Sequence, residues 1–271
     1  MGDLVLSSGV RSNLLQLQQT SDLITQTQTR LATGKRVNSA LDNPINFFTA
    51  QGLSVRANDL NSLLDSMSTG INTIQAANNG IGSITKMVQS AQSLVSQAQQ
   101  TTDTTLRAAL ATQFTALLGQ IDQLANDSGI NGINLLGGND LTITLNETGG
   151  STVTITGVDD TVAGDLAIGN AANNWATAGD VTAASTDLTA ALVTLRSQSQ
   201  ALSSNLQTVQ VRQDFTKAMI NTLQSGADSL TLADSNEEGA NLLALQTRQQ
   251  LSTTALSLAA QADQNVLRLF R

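Results

Sequence analysis

The chain of 271 residues has no Cys, no His and no Tyr, 2% aromatic residues and a formal net charge of −8. The first two absences remove disulfides, thiol nucleophiles, imidazole-based triads and zinc sites together, and the scarcity of rings leaves Leu, Ile, Val and Ala to build narrow helical seams rather than a broad core. The negative balance disfavours a nucleic-acid partner, no run of 18 apolar residues offers a membrane span, and the opening residues lack the basic and apolar blocks of a cleaved signal peptide.

In chain order, Val10, Leu17, Ile24 and Leu31 recur at seven, with Leu14, Ser21 and Gln28 in the intervening slot, which predicts a heptad seam. Gly34 fits a helix C-terminal cap, with Lys35 and Arg36 suited to the helix dipole, so the first helix is expected to stop near Thr33. Asn43 before Pro44, the single proline, reads as an N-cap followed by a first-turn proline. The stripe Leu60, Leu64, Met67, Ile71, Ile74, Asn78, Ile81, Ile84 and Val88 then predicts a long helix from Pro44 to about Gln99. Within it Gly70, Gly80 and Gly82 each weaken the helix by about 1 kcal/mol relative to Ala. A third helix is expected after Thr102 or Asp103, with Leu106, Leu110, Phe114, Leu117, Ile121 and Leu124 on one face.

Leu141-Thr-Ile-Thr-Leu145 and Val153-Thr-Ile-Thr156 alternate with period two around a turn-rich stretch, a β-hairpin signal. Residues 156–180 carry no assignable pattern; a second small hairpin around residues 165–168 is a guess, and Trp175 is expected to plug the outer element locally. Leu188, Leu192, Leu195, Ser199, Leu202, Leu206, Val209, Gln213, Thr216, Ile220 and Leu223 alternate four and three without a slip, predicting a coiled-coil helix from about Thr186 to Leu223 or beyond. Residues 233–239, ending in Gly239, read as a linker to a terminal helix over 240–271 with Leu251, Ala255, Leu258, Ala262, Val266 and Leu269 as its stripe.

This near-palindrome predicts a mainly α fold: long antiparallel coiled-coil helices in a rod-like bundle, a small β-hairpin element at the tip, and both termini helical and adjacent. The expected organisation is residues 1–33 with 240–271 as an inner core, 34–43 and 233–239 as linkers, 44–140 with 181–232 as a helical bundle, and 141–180 as a small outer β element. Neither terminus is expected to hold its shape unaided, because one apolar stripe does not offset the entropy of ordering some 25 residues. Between Arg107 and Arg196 there is no Lys or Arg but nine acids, so the middle is acidic and the flanks are near balance. Ser21, Gln28, Ser199 and Gln213 at seam positions need partners, which a multi-copy assembly would supply. Glu237 and Glu238 are adjacent, point apart and have no nucleophile beside them, so no catalysis is expected. Asp159, Asp160 and Asp165 match no EF-hand spacing and read as solvated loop acids, so no metal or cofactor is expected.

Three stretches together resemble bacterial flagellin. Leu31-Ala-Thr-Gly-Lys-Arg-Val-Asn-Ser-Ala-Leu-Asp-Asn-Pro44 is similar to the family's N-terminal signature, Gly132-Ile-Asn-Leu-Leu-Gly-Gly138 to its Asn-Gly-x-x-Leu-Leu turn, and Gln261-Ala-Asp-Gln-Asn-Val-Leu-Arg-Leu269 to its closing motif. The resemblance covers both halves and leaves out roughly residues 141–180, an interval so short that only a small outer element fits. It implies a non-enzymatic subunit that polymerises with itself into the flagellar filament used for swimming. The terminal helices would lie around the filament axis, and the linkers at 33–44 and 233–239 would absorb switching between filament shapes. It further implies hook–filament junction and cap proteins, an export chaperone and the flagellar type III export apparatus as partners, and secretion without a cleaved signal peptide. A flagellin-like hook–filament junction protein would share both ends but usually has a larger middle. Another type III secreted coiled-coil protein would share the heptads without the paired signatures.

Overall fold

The computed structural model describes residues 8–269, without the side chains of residues 263, 264 and 266–269. Its elements in order are α1 (Ser8–Thr33), α2 (Pro44–Gln100), α3 (Thr104–Asp127), β1 (Leu141–Thr144), β2 (Thr152–Ile155), a 3-10 turn (Ala172–Trp175), α4 (Ala178–Thr231) and α5 (Ser235–Leu269). The chain is therefore mainly helical, with one antiparallel hairpin of two strands among the described residues. Two compact units are formed, one from residues up to Val55 together with Thr222 onward, the other from Arg56–Asn221.

The second unit is organised by the seam between α2 and α4. Met67, Ile74, Ile81, Ile84 and Val88 of α2 and Leu188, Leu195, Leu202 and Val209 of α4 are buried in one core, as their three-and-four spacing predicts. Two polar pairs cross the seam inside the single chain: Ser199 Oγ donates to Asn78 Oδ1 at 2.8 Å and Gln213 Nε2 donates to Ser68 Oγ at 2.9 Å. Ser199 and Gln213 thus find their partners on α2 and not on another copy. The reason is that polar seam residues on antiparallel neighbours can be matched in register, a possibility that one heptad read alone does not display.

Asp103 caps α3 by accepting from Thr105 N at 2.8 Å. The buried face of α3 runs through Arg107, Leu110, Phe114, Leu118, Ile121 and Ala125. Leu106, expected on that face, is 48% exposed; the buried Arg107 takes the inner position by donating Nε to Ala98 O at 3.1 Å, which satisfies the otherwise free end of α2. The hairpin pairs Leu141 with Ile155 and Ile143 with Val153. Ile143 lies where a Cβ on Gly70 would stand, and the Gly80 position is closed in the same way by Leu136 and Ser128. Two helix glycines therefore mark where the outer layer comes down onto α2.

Residues 157–171 form no strand; the guessed second hairpin at 165–168 is instead a run of turns, with Asp165 N donating to Asp159 O at 2.6 Å and Ile168 N to Val162 O at 2.9 Å. Trp175 is fully buried, its ring 5.0 Å from Phe114 of α3. Gly179 and Asp180, expected in the outer element, belong to α4 because Asp180 accepts from Thr177 N and Oγ1 and so fastens the helix start. Asp160 is not a solvated loop acid: it is 0% exposed, and neither carboxylate oxygen has a hydrogen-bond partner.

In the first unit, α5 begins at Ser235, so residues 235–239 are helix and Gly239 is an interior position, where a linker was expected. The cause is Asp234, whose carboxylate accepts from Asn236 N at 2.8 Å and Glu237 N at 3.3 Å, reinforced by Glu237 and Glu238 in the first turn. Each terminal helix has the other as its support, since α1 packs along α5.

Two outcomes follow for the second unit. Gly80→Ala is expected to destabilise it by about 1–3 kcal/mol despite the better helix propensity, because the added carbon would stand 2.7 Å from Leu136 Cδ1. Gly82→Ala, with nothing within 4 Å of its Cβ position, should stabilise it by about 0.5–1 kcal/mol; urea unfolding of the two variants checks the contrast. Burial also raises the Asp160 pKa from 3.8 to about 6. The native state therefore holds this proton over a range in which the unfolded chain has released it, so its contribution to stability falls as pH rises from about 4 to about 6 and stays low above that. Asp160→Asn should be more stable than wild type by about 1–3 kcal/mol at pH 7.5, with the gain vanishing by pH 4; an equal difference at both pH values in thermal unfolding would contradict this.

Candidate self-assembly surface

The α1/α5 pair concentrates the residues singled out from the sequence, yet it divides them between two faces. On α1 the inward row is Val10, Asn13, Leu17, Thr20, Ile24, Thr27 and Leu31, buried or half-buried. On α5 it is Glu238, Leu242, Leu245, Gln249, Ser252, Leu256 and Ala259. Both rows alternate three and four, the spacing of a coiled-coil seam. The intervening slot on α1 is occupied by Asn13, Thr20 and Thr27, not by Leu14, Ser21 and Gln28 as expected, and Thr20 is accommodated by donating its hydroxyl to Gln16 O at 2.8 Å. Leu14 is 40% exposed, and Leu15 and Leu23 are exposed as well.

The expected α5 stripe likewise lies outside the seam. Leu251 is 67% and Leu258 62% exposed, and Ala255 and Ala262 are exposed. The seam row runs one step away from it, through Ser252, Leu256 and Ala259. The side chains of Val266 and Leu269 lie outside the described residues. Leucines turned to solvent on a helix whose other row is already partnered form an exposed apolar surface of the kind that marks contacts with other molecules.

The seam closes on one ion pair. Arg30 Nη1 donates to Glu238 Oε1 at 3.0 Å, with the Glu238 side chain nearly buried. Glu237 is exposed on a different side of the same turn, so the two adjacent acids serve separate ends. No group of three or more acids suited to holding a metal occurs among the described residues.

The two connecting stretches are tied together. Gly34 takes φ +67° directly after α1, a conformation that a side chain disfavours. Its carbonyl accepts from Ala233 N at 3.0 Å, while Arg36 N and Val37 N donate to Thr231 O at 2.7 and 3.2 Å. Asp42 folds the rest: its Oδ2 accepts from Asn38 N, Ser39 N and Ser39 Oγ at 2.9–3.1 Å. Those backbone amides hold the Asp42 carboxyl below its ordinary range. Asn43 Oδ1 then accepts from Asn46 N at 3.0 Å, and Pro44 starts α2. Leu41 stands exposed on this joint, and Ile45 and Phe48 along the first turns of α2. The Arg30–Glu238 pair and the Asp42 turn were invisible to periodicity; an acid at the start of one terminal helix and a base near the end of the other was the available signal.

The flagellin N-terminal helical region model matches residues 8–140. Flagellin FljM of Caulobacter vibrioides is 30% identical over 98% of this chain and 97% of its own length, and a flagellin of Brucella melitensis is 27% identical over the full length of both. A crystal structure of Bacillus cereus flagellin covers 67% of this chain and 94% of its own, at 21% identity and a TM-score of 0.40. The two-ended helical architecture, the joint built on the Asn38-Ser-Ala-Leu-Asp42 turn and full-length similarity at this level lead to one assignment: the chain belongs to the bacterial flagellins, structural subunits that polymerise into the extracellular flagellar filament of swimming bacteria.

Proposed function

We propose that α1 and α5 form the axis-facing layer of that filament, with a division of labour along their surfaces. Val10, Leu17, Ile24 and Leu31 hold the pair together, whereas Leu14, Leu251, Ala255, Leu258 and Ala262 meet neighbouring copies, joined by Val266 and Leu269 towards the end of α5. Residues 44–140 with 181–232 then make the surrounding layer and residues 141–180 the outer surface, with Gly34, Asn43, Pro44 and the stretch around Gly239 as the joint where packing between neighbours shifts. The observation that carries this reading is the exposure of Leu251 and Leu258 on a helix whose opposite row is occupied. The chain acts without catalysis on this reading, leaves the cell through the flagellar type III apparatus with a chaperone, and meets junction and cap proteins at the filament ends.

Replacing Leu251 and Leu258 by Ser separates the two roles. Such exposed positions should change monomer stability by no more than about 0.5 kcal/mol each, yet the double variant should fail to elongate from filament seeds in electron micrographs at concentrations where wild type does. Ile24→Ala should instead lower monomer stability by about 2–4 kcal/mol, since it opens the seam. Normal elongation by the Leu251→Ser, Leu258→Ser protein would refute the division.

A further inference from the structure

We propose that a groove between α2 and α4 receives the loop carrying Asp159 and Asp165 from a second copy of this chain. The inference deepens the filament reading and rests on it. The groove encloses about 450 Å³. Ile81 and Leu195 are buried at its floor with Leu192 half-buried beside them, and Lys86 and Arg196 stand exposed at its rim. The ion pairs among the described residues are Arg30–Glu238, Arg56–Glu147 and Lys217–Asp214, so neither rim cation takes part in one. Gly82 lies in the same groove with open space where its Cβ would be. A glycine in the interior of a helix weakens it, and unlike Gly80, which the Leu136 side chain occupies, Gly82 has no neighbour within 4 Å that uses the room.

The matching surface is the loop after β2. Asp159 and Asp165 are exposed and held side by side: Asp165 N donates to Asp159 O at 2.6 Å, and Asp159 N donates to Asp165 Oδ2 at 3.2 Å. The loop is anchored from below by Asp160 N on Leu136 O at 2.9 Å and by Val162 N on Asp122 Oδ1 at 2.6 Å. Two carboxylates are thereby presented on a preorganised turn, and two cations outside any ion pair flank an apolar floor, which is charge complementarity in a partly desolvated setting.

The placement also says what kind of contact results. Gln198 of α4 sits beside the Asp160 carboxyl, and Arg196 is two residues away, which on a helix of 3.6 residues per turn is a rotation of about 200°. Arg196 at the groove rim and Gln198 beside the loop therefore point to different sides of α4. Repeated head to tail from copy to copy, a contact between these two different patches propagates into an open polymer, whereas closed reciprocally on one partner it would stop at a dimer.

The test uses full-length protein elongating from filament seeds. Lys86→Glu with Arg196→Glu should raise the concentration needed for elongation about tenfold or more, and Gly82→Leu should do the same by filling the groove; circular dichroism melting close to wild type certifies that both remain folded. Because the chain has no Cys, copies carrying Lys86→Cys can be mixed with copies carrying Asp165→Cys and treated with a short bis-maleimide. A covalent dimer is expected in filaments and none in monomer. Wild-type elongation by both groove variants, or growing filaments that give no dimer, would overturn the docking alone. Failure of wild type to elongate on any seed would instead overturn the filament reading and this contact with it.

Discussion

Two helices packed side by side can share one stripe each, and α1 and α5 carry more apolar surface than that stripe holds. Their shared seam is interrupted by polar residues, Asn13, Thr20 and Thr27 on one helix and Gln249 and Ser252 on the other, while Leu14, Leu15, Leu23, Leu243, Leu251 and Leu258 face outward. An arrangement that maximised monomer stability would turn more of the leucines in. The opposite choice leaves a pair that is held in register by Arg30–Glu238 and a few aliphatic residues, with these leucines on its surface. The α2/α4 seam shows the contrasting solution, since its polar interruptions are matched inside the chain by Asn78 and Ser68 and its core is complete.

The joint between α1 and α2 explains why so much sequence detail is spent on ten residues. Gly34 permits the left-handed step out of α1, Asp42 gathers three donors from Asn38 and Ser39, and Asn43 with Pro44 begins α2. The strand-like bonds from Gly34, Arg36 and Val37 to Thr231 and Ala233 then bind the outgoing and returning chains at one level. Several short backbone bonds therefore hold this connection.

How much of this was legible follows from what periodicity encodes. The long helices α2 and α4 were readable because their buried rows are aliphatic nearly throughout, and the hairpin because alternation and turn chemistry agree. In α1 two rows compete, one through Leu14 and one through Asn13, and the more apolar row does not turn inward, since Thr20 and Thr27 are buried while Leu14 is exposed. In α5 the competition is closer still, because Leu256 belongs to the seam row and Leu258 to the outer one, and their spacing alone does not rank them. Leu106 and Arg107 exchange roles for a different reason: a buried guanidinium with a backbone acceptor at Ala98 competes with a leucine that can point outward. Residues 156–180 resisted reading because individual hydrogen bonds shape them, some between residues three to six apart and others reaching Leu136, Asp122 and Asp187, and such bonds leave no period in the sequence.

The acidic middle of the chain gains its meaning from those same bonds. In a stretch without Lys or Arg, the carboxylates take backbone amides as their positive partners: Asp122 accepts from Val162 N, Asp140 from Gly157 N, Asp159 from Thr161 N, Asp180 from Thr177 N and Asp187 from Gly169 N. Among these acids only Glu147 reaches a base, Arg56. The acids are thus largely the fasteners of the loops. Asp160 is the exception, its carboxyl buried and pushed by that burial toward the protonated form.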